Sequence, residues 1–456
     1  MTWYVMSASA ADRTNQLLTA PLLPLLLKMA SPNAAAFLVQ TTVNMTEVWY
    51  VGQLGKVSLA AMALMFPLLM LTQMLANGAV GGGVTGAVAR ALGGGNADTA
   101  ERLIWHALAI ALVAGFGFLV LVLVALDPLL SLMSSDPAVL AQARLYGIIL
   151  FSGCPLIWSM GLLNAVYRGM GNMKFPAMLM FLGAFIQVPL SGTLVLGWFG
   201  VPSMGIAGAA VSVIAVATLS NILLIRGLLQ DQSPLKLRWS ARHLEYSLFA
   251  SILRVGLPSS ISPILTVSTL SGLNIFVGSF GVAALAGYGI GSRIEFLIIP
   301  LVFGIGVSMN ALVGVNLGAG QVQRAVNIGW AGAGTAAFFT GIGGLAVALW
   351  PEVWASLFTD DVQTLASAKG YLQFVGPFFA FQGVGLSLFF ASQGAGRMTW
   401  PLIAAVVRLM IGIGGGAILL YGYDASLNMI YLASGIAMVA NGVITAGALK
   451  MGMWQR

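Results

Sequence analysis

The stretch YVGQLGKVSLAA, Tyr50 to Ala61, recurs later in the chain as FVGSFGVAALAG, Phe276 to Gly287, 226 positions further on. An offset of 226 or 225 also pairs three other segments: KMASP at 28–32 with RVGLP at 254–258, SLMSSD at 131–136 with SLFTDD at 356–361, and GMGNMKFP at 169–176 with GAGRMTWP at 394–401. Matches in this order and at nearly constant spacing predict two structurally similar halves.

The chain is far too apolar for a water-soluble fold. Charged residues make up 7% and apolar residues 59% of its 456 positions, whereas charged residues are roughly a quarter of a soluble domain. The mean hydropathy is +0.95. Because a soluble protein of this size could not bury so many apolar side chains, its solvent must be lipid. We therefore predict an integral membrane protein that contacts the lipid bilayer.

Twelve apolar runs are long enough to cross a bilayer, which takes about twenty residues per helix. They lie near 30–52, 58–84, 103–126, 143–166, 175–198, 204–227, 255–279, 284–312, 325–350, 368–392, 400–421 and 427–449. Helices rather than strands are expected, since the runs lack the apolar and polar alternation of membrane barrels.

The predicted fold is all-α, with twelve transmembrane helices in two pseudo-symmetric six-helix lobes around a central cleft. The expected segments are an N-terminal segment (1–29), an N-lobe (30–227), a linker (228–254), a C-lobe (255–449) and a C-terminal tail (450–456). The linker is expected to carry an interfacial helix with four side chains facing lipid, namely Leu235, Leu237, Trp239 and Leu244.

Lysine and arginine are distributed unevenly between the two sets of connections. Fifteen lie at the termini or on one side: Arg13, Lys28, Arg90, Arg102, Arg168, Lys174, Arg226, Lys236, Arg238, Arg242, Arg254, Arg324, Arg397, Lys450 and Arg456. The other side holds Lys56, Arg144 and Lys369. This bias predicts a multi-pass protein of the plasma (inner) membrane with both termini in the cytoplasm. The net charge of +7 is then a topology signal, and we expect no binding to nucleic acid.

Cysteine and histidine are too scarce to indicate a disulfide framework or a metal site. Cys154 is the single cysteine, and His106 and His243 are the two histidines. No removable signal peptide is evident, because Asp12, Arg13 and Lys28 precede the first long apolar run. We expect no metal and no cofactor.

Two of the thirteen acidic residues, Glu47 and Glu295, fall well inside predicted spans. An ionisable residue at such a position is costly in lipid and therefore suggests function. Glu47 could take up and release a proton in competition with a cationic substrate. Alternatively, a neighbouring hydroxyl or amide could hold it in a structural role, or it could lie shallow enough to reach water.

The motifs resemble those of the multidrug and toxic compound extrusion (MATE) family, and specifically its DinF-like branch. The resemblance rests on the pattern of an acid, x-x-x-V-G-x-L-G and then L-A-A at 47–61, with its echo in the seventh helix, and on further segments in the family's order: YRGMGNMKFP at 167–176, GIAGAA at 205–210 and VGVNLGAG at 313–320. It implies twelve helices in two lobes and the export of organic cations and other drugs in exchange for H⁺ or Na⁺.

The resemblance also indicates which residues would form an N-lobe cation or proton site. The DinF-like branch has an acid at the position of Glu47 and a second acid in the fifth helix, one turn after an asparagine. In this chain Gln187 and Ser191 occupy those two positions, so the second charge is absent. Since Na⁺ prefers several hard oxygen ligands, this favours H⁺ without excluding Na⁺. Asn164 matches a member of the same polar cluster.

Other intramembrane polar residues are candidates for substrate contact: Asn44, Asn274, Glu295 and Arg408. Most intramembrane asparagines hold helices together. Glu295 could be a second cation site or could form an internal salt bridge with Arg408, whose own role could be structural. Asn274 follows Leu273, which is the repeat position of Glu47, so we expect ion coupling mainly in the N-lobe.

The predicted function is secondary antiport of amphipathic, cationic small molecules by a monomer, and not an enzymatic reaction. A lipid-linked precursor flippase is the nearest alternative, but those proteins tend to have extra helices or a cleft rich in Arg and Lys. A membrane-embedded transferase would need clustered acids or histidines at one face. A channel suits two repeated lobes less well than a carrier does.

Overall fold

A computed structural model describes residues 10–230 and 233–455, and these ranges contain helices and no strand. The predicted all-α class is confirmed. Eleven helices are long and apolar enough to cross a membrane, and a bent pair counted as one span makes twelve. Predictions that concern residues 1–9, 231–232 and 456 lie outside the described ranges.

The first half of the chain forms the N-lobe, whose spans follow a short helix, α1. Its helices are α1 (Ala10–Thr19), α2 (Leu22–Gln53), α3 (Lys56–Gln73), α4 (Gly81–Gly93), α5 (Ala97–Met133), α6 (Pro137–Ser152), α7 (Cys154–Gly169), α8 (Lys174–Leu196) and α9 (Ile206–Leu229). A π-helical turn, Met74–Val80, joins α3 to α4 in one span. The first span begins earlier than the sequence indicated, at Leu22 instead of residue 30.

The second half forms the C-lobe. Its helices are α10 (Tyr246–Gly278), α11 (Val282–Ser292), α12 (Glu295–Gly318), α13 (Val322–Leu349), α14 (Pro351–Ala355), α15 (Val362–Val375), α16 (Phe379–Ala395), α17 (Thr399–Leu409) and α18 (Leu427–Lys450). The pairs α11–α12 and α15–α16 each form one span, and π-helical turns extend α17 to Gly422.

Helix breaks follow local chemistry. α6 and α7 are bent by 47° at Gly153, where Pro155 at the start of α7 lacks the N–H that a continuous helix would use. The repeated SLMSSD and SLFTDD segments end in the N-cap residues of equivalent helices. Asp136 accepts a hydrogen bond from the Ala138 N–H at 2.8 Å, and Asp361 accepts one from the Thr364 N–H at 2.8 Å. This part of the repeat therefore encodes helix starts.

The two halves have equivalent internal packing. α2 packs on α8 as α10 packs on α17, and α8 packs on α9 as α17 packs on α18. Likewise, α5 packs on α7 as α13 packs on α16. The predicted pair of pseudo-symmetric lobes is thus present in the helix contacts.

The lobes meet at the end of the bundle that holds most of the cationic connections, here called the basic end. There α4 packs against α10, α12 and α16. A Cβ on Gly93 would lie 2.0 Å from the Val315 carbonyl oxygen, and one on Gly318 would lie 2.2 Å from the Arg90 carbonyl oxygen. Glycine at both positions therefore lets the backbones of opposite lobes touch.

Polar side chains add hydrogen bonds between the lobes at the same end. Gln393 Nε2 donates to the Gly78 carbonyl at 2.8 Å, in the π-helical turn. Arg90 Nη1 donates to the Gly394 carbonyl at 2.7 Å, and Asn310 Nδ2 donates to the Gly82 carbonyl at 3.0 Å. The cleft between the lobes is therefore closed at the basic end.

The linker differs from the prediction of an interfacial helix, which is wrong. Between Leu229, the end of α9, and Tyr246, the start of α10, the described residues form one helical element, a 3₁₀ turn, Trp239–Ala241. Leu235 is fully buried, while Trp239 is exposed. The backbone N–H of Lys236 donates to Glu101 Oε1 on α5 at 3.1 Å. Because α5 binds this backbone directly, the segment stays extended.

Candidate functional site

A cavity of about 1110 Å³, including space open to solvent, lies within the N-lobe. Residues of α2, α7, α8, α9 and the α3–α4 span line it. Its apolar wall is interrupted by seven amide side chains and one hydroxyl, that of Ser220. Among the lining residues, Glu47 is the single carboxylate and Arg168 the single cationic side chain.

Glu47 on α2 is 4% exposed and is approached by two neutral side chains. Gln187 Nε2 on α8 donates to its Oε1 at 2.7 Å. Ser212 Oγ on α9 lies 3.4 Å from the same oxygen and makes a shorter bond, 2.7 Å, to the Ala209 carbonyl. The contact with Ser212 was not anticipated from the sequence. The residue 225 positions after Ser212 is Ala437. A position that is polar in one half and apolar in the other is the sequence signal that could have indicated this contact.

Two of the other N-lobe candidates line the cavity of Glu47, and one does not. Asn44 and Asn164 line the same cavity as Glu47. Asn44 Oδ1 accepts a hydrogen bond from Gln40 Nε2 at 3.2 Å, one turn earlier on α2. Ser191 is fully buried, and its Oγ has no hydrogen-bond partner among the described residues. It does not line the cavity.

The matching positions in the C-lobe are apolar. The counterparts of Glu47, Gln187 and Ser212 are Leu273, Gly412 and Ala437. A Cβ on Gly412 would lie 3.8 Å from the Ala437 Cβ, so these two positions are neighbours, as in the N-lobe. Leu273 is 4% exposed and packs in the C-lobe core. The ion-binding chemistry available at this site therefore exists in one lobe alone.

The C-lobe has its own half-buried polar cluster at another position. Glu295 Oε1 accepts a hydrogen bond from Tyr371 OH at 2.5 Å, and Arg408 lies near both side chains without forming a salt bridge to Glu295. Tyr371 is the repeat counterpart of Tyr146. Tyr146 lies near Glu47. Each lobe thus places one intramembrane carboxylate near an equivalent tyrosine.

Arg408 and Asn274 are separated from the N-lobe cavity. Arg408 lines a second cavity of about 800 Å³, which also touches Met74 and Gly78 of the N-lobe. Asn274 is exposed and donates from Nδ2 to the Leu270 carbonyl of its own helix at 3.0 Å. The structure therefore does not bring the four substrate candidates together, since Asn44, Asn274 and the Glu295–Arg408 cluster occupy three places.

Arg168 is placed differently from the sequence prediction, which assigned it to a connection. It ends α7 as a 5% exposed side chain that lines the N-lobe cavity. Its Nε and Nη2 atoms have no hydrogen-bond partner among the described residues. The predicted apolar run ends at residue 166, so Arg168 fell outside it. No feature of the sequence indicates that its guanidinium is buried.

Metal-ligating side chains do not cluster in the part of the chain that the structure describes. No group of three His, Cys, Asp or Glu residues is close enough there to hold a metal ion. The chemistry that the N-lobe cavity can perform is the binding of a proton or small cation at Glu47, together with organic molecules along its apolar wall.

Comparison with known proteins relates the whole architecture to one family. The sequence profile of the MatE family matches residues 32–193 and 258–418, one copy in each half. A probable multidrug resistance protein NorM of Thermotoga maritima is 25% identical over 445 residues, covering 94% of this chain and 93% of that protein. An FAD transporter of Shewanella oneidensis is 25% identical over 366 residues, covering 78% of each chain.

Solved structures share the fold. A MOP superfamily transporter from Pyrococcus furiosus superposes with a TM-score of 0.88 at 22% identity, covering 96% of this chain and 97% of that one. A MATE family transporter in an outward-facing conformation gives a TM-score of 0.87 at 22% identity, covering 97% and 98%. With the family profile matched in both lobes, the chain belongs to the MatE family of membrane transporters.

Proposed function

We propose that this protein is a secondary antiporter that exports amphipathic small molecules in exchange for H⁺, with Glu47 as the coupling residue. The observation that carries the proposal is a lone carboxylate, 4% exposed, in a cavity large enough for an organic molecule. Its partners Gln187 and Ser212 are neutral. A buried carboxylate without a cationic partner is costly, so a proton and a cationic substrate would compete for it.

Alternating access is the proposed mechanism. In the proposed orientation both termini and the basic end face the cytoplasm, so closure there leaves the cavity accessible from outside. Export requires the contacts of Gln393, Arg90 and Asn310 across the lobes to break while a closure forms at the opposite end. Two lobes with equivalent internal packing can rock as rigid bodies in this way.

Proton coupling fits the site better than sodium coupling. Na⁺ prefers several oxygen ligands and usually more than one carboxylate. Glu47 is the one carboxylate in the cavity, and Gln187 presents its amide nitrogen to it. A proton needs no such ligand shell. We therefore propose H⁺ as the coupling ion, used by a monomer without a cofactor.

The substrates proposed are amphipathic organic cations and other drugs, in line with the multidrug resistance proteins among the relatives. Another relative is named as an FAD transporter, so transport of an anionic molecule is compatible with the same fold. A lipid-linked precursor flippase is less favoured, because each of the two cavities has a single cationic lining residue, Arg168 in the N-lobe cavity and Arg408 in the second. Arg293 instead lies over the Phe358 ring at 5.4 Å.

The test is efflux of the fluorescent cation rhodamine 123 from proteoliposomes, with a pH gradient and a Na⁺ gradient imposed in separate experiments. We expect the pH gradient to drive efflux and Glu47→Gln to lower it at least about tenfold, since the exchangeable charge is lost. Glu352→Gln is the matched control, because Glu352 is exposed and does not line the cavity. Full gradient-driven efflux by Glu47→Gln would contradict the proposal.

A further inference from the structure

The basic end of the N-lobe cavity has buried hydrogen-bond donors that no described residue satisfies. Arg168 Nε and Nη2 and Asn33 Nδ2 have no partner among the described residues. Arg168 is 5% exposed and Asn33 2% exposed, and both line the cavity. Buried donors are nearly always paired, and an unpaired guanidinium is especially costly. Donors left open inside a cavity therefore point to a ligand that accepts hydrogen bonds.

The repeat strengthens this reading. The counterpart of Arg168 in the C-lobe is Gln393, whose amide is fully engaged. Its Nε2 donates to the Gly78 carbonyl at 2.8 Å, and its Oε1 accepts from Asn310 Nδ2 at 3.2 Å. The C-lobe residue thus holds the two lobes together, whereas Nε and Nη2 of the N-lobe residue make no such bond within the described part of the chain.

Arg168 and Glu47 lie at opposite ends of the cavity. Glu47 is bonded to Gln187, whereas Arg168 ends α7 a few residues before α8 begins at Lys174. Pro176, near the start of α8, also lines the cavity. Gln187 lies eleven positions after Pro176, which corresponds to a rise of about 16 Å along α8. The cavity therefore presents a carboxylate at one end and a guanidinium roughly 15–20 Å away at the other.

We propose that Arg168 and Asn33 form a subsite for an oxyanion, a carboxylate or a phosphate, carried by the transported molecule. The inference rests on the proposed transport function and deepens it by naming a substrate class: amphipathic molecules with an anionic group. A guanidinium donates two parallel hydrogen bonds to a carboxylate or phosphate, and the Asn33 amide adds a third donor. Asn164 Oδ1, one turn before Arg168 and likewise without a partner in the described part of the chain, can accept from a hydroxyl or N–H of the same molecule.

Equilibrium binding to the purified, detergent-solubilised protein tests the subsite without any ion gradient. Rhodamine 110 and rhodamine 123 differ in that the second is the methyl ester of the first, so that one has a free carboxylate and the other does not. Riboflavin and FMN differ by a phosphate. Fluorescence polarisation with each pair reports whether the protein prefers the anionic member and which oxyanion it prefers.

We expect the wild-type protein to bind rhodamine 110 more tightly than rhodamine 123, or FMN more tightly than riboflavin. Arg168→Gln should weaken binding of the anionic member about tenfold or more and leave the esterified or dephosphorylated member within about twofold. Arg168→Lys keeps the charge but loses the fork geometry and should give an intermediate loss. Arg226→Gln is the matched control, because Arg226 is exposed near the same end of the bundle.

The proposal is overturned if the wild-type protein does not discriminate within either pair, a result that needs no variant to fold. It is also overturned if Arg168→Gln, with an unchanged melting profile, weakens both members equally or neither. Failure of the antiport proposal looks different: Glu47→Gln would then retain gradient-driven efflux while the discrimination between paired dyes persisted.

Discussion

Gln187 Nε2 donates a hydrogen bond to Glu47 Oε1 over 2.7 Å, joining residues that are 140 positions apart. The contact fixes a carboxylate between α2 and α8, and Ser212 on α9 approaches the same oxygen. In the C-lobe the equivalent positions are Leu273, Gly412 and Ala437, which have no side chain that can bind an ion. A duplicated scaffold has therefore become chemically asymmetric at one set of equivalent positions.

Gln187→Ala is expected to impair the site more than Ser212→Ala. The first removes a 2.7 Å bond to a buried carboxylate, and the second removes a 3.4 Å contact. Loss of a hydrogen bond to a charged group costs about 1.5–3 kcal/mol, so gradient-driven rhodamine 123 efflux should fall by about tenfold for Gln187→Ala. Proteoliposome efflux measures this. Equal loss of efflux in the two variants would show that the shorter contact of Gln187 with Glu47 is no more important for transport than the longer contact of Ser212.

Gly93→Ala is expected to open the basic end. Its new Cβ would lie 2.0 Å from the Val315 carbonyl oxygen of the other lobe, and overpacking of this kind costs on the order of 1–3 kcal/mol. The ratio of the state closed at the basic end to the open state should fall by about tenfold. Spin labels at positions 226 and 450, in a Cys154→Ser background, report the distance between the lobes.

Gly117→Ala is the control for this experiment, because a Cβ at Gly117 meets nothing within 4 Å. Both substitutions add one methyl group to a helical glycine, so a general effect on helix propensity would appear in both. An unchanged distance distribution in Gly93→Ala would mean that the close approach to Val315 does not control closure.

Asp361→Ala is expected to lower the melting temperature at neutral pH by about 1–3 °C, since α15 loses its N-cap. Hydrogen bonds from the Thr364 side chain and backbone hold the pKa of Asp361 below its ordinary value. A carboxyl with a lowered pKa in the folded state stabilises that state above the unfolded pKa, about 3.9. The contribution is lost as the pH falls through the lower folded value.

The difference in melting temperature between wild type and Asp361→Ala should therefore be present at pH 7 and shrink below about pH 4. Asp360→Asn provides the comparison, because Asp360 is the exposed neighbouring residue and does not cap the helix. A difference that stays constant from pH 7 to pH 3 would argue that the carboxylate of Asp361 is not the stabilising group.

Much of the fold was accessible from composition and repetition. A chain with 7% charged residues must be solvated by lipid, and twelve long apolar runs must be helices because every backbone group needs a partner in lipid. The repeated segments identified two equivalent lobes, and the SLMSSD and SLFTDD pair corresponds to two helix caps. Glu47 was identifiable because a single carboxylate in an apolar run is a local property of the chain.

The sequence by itself determined the membrane, the number of spans, the duplication and the identity of the buried acid, because each depends on residues that are close together or regularly spaced. The tertiary structure alone decided that Ser212 approaches Glu47, that Arg168 lies inside a cavity, and that the lobes meet at Gly93 and Val315. These are distances between helices far apart in the chain. They depend on how whole lobes pack, which no local pattern encodes.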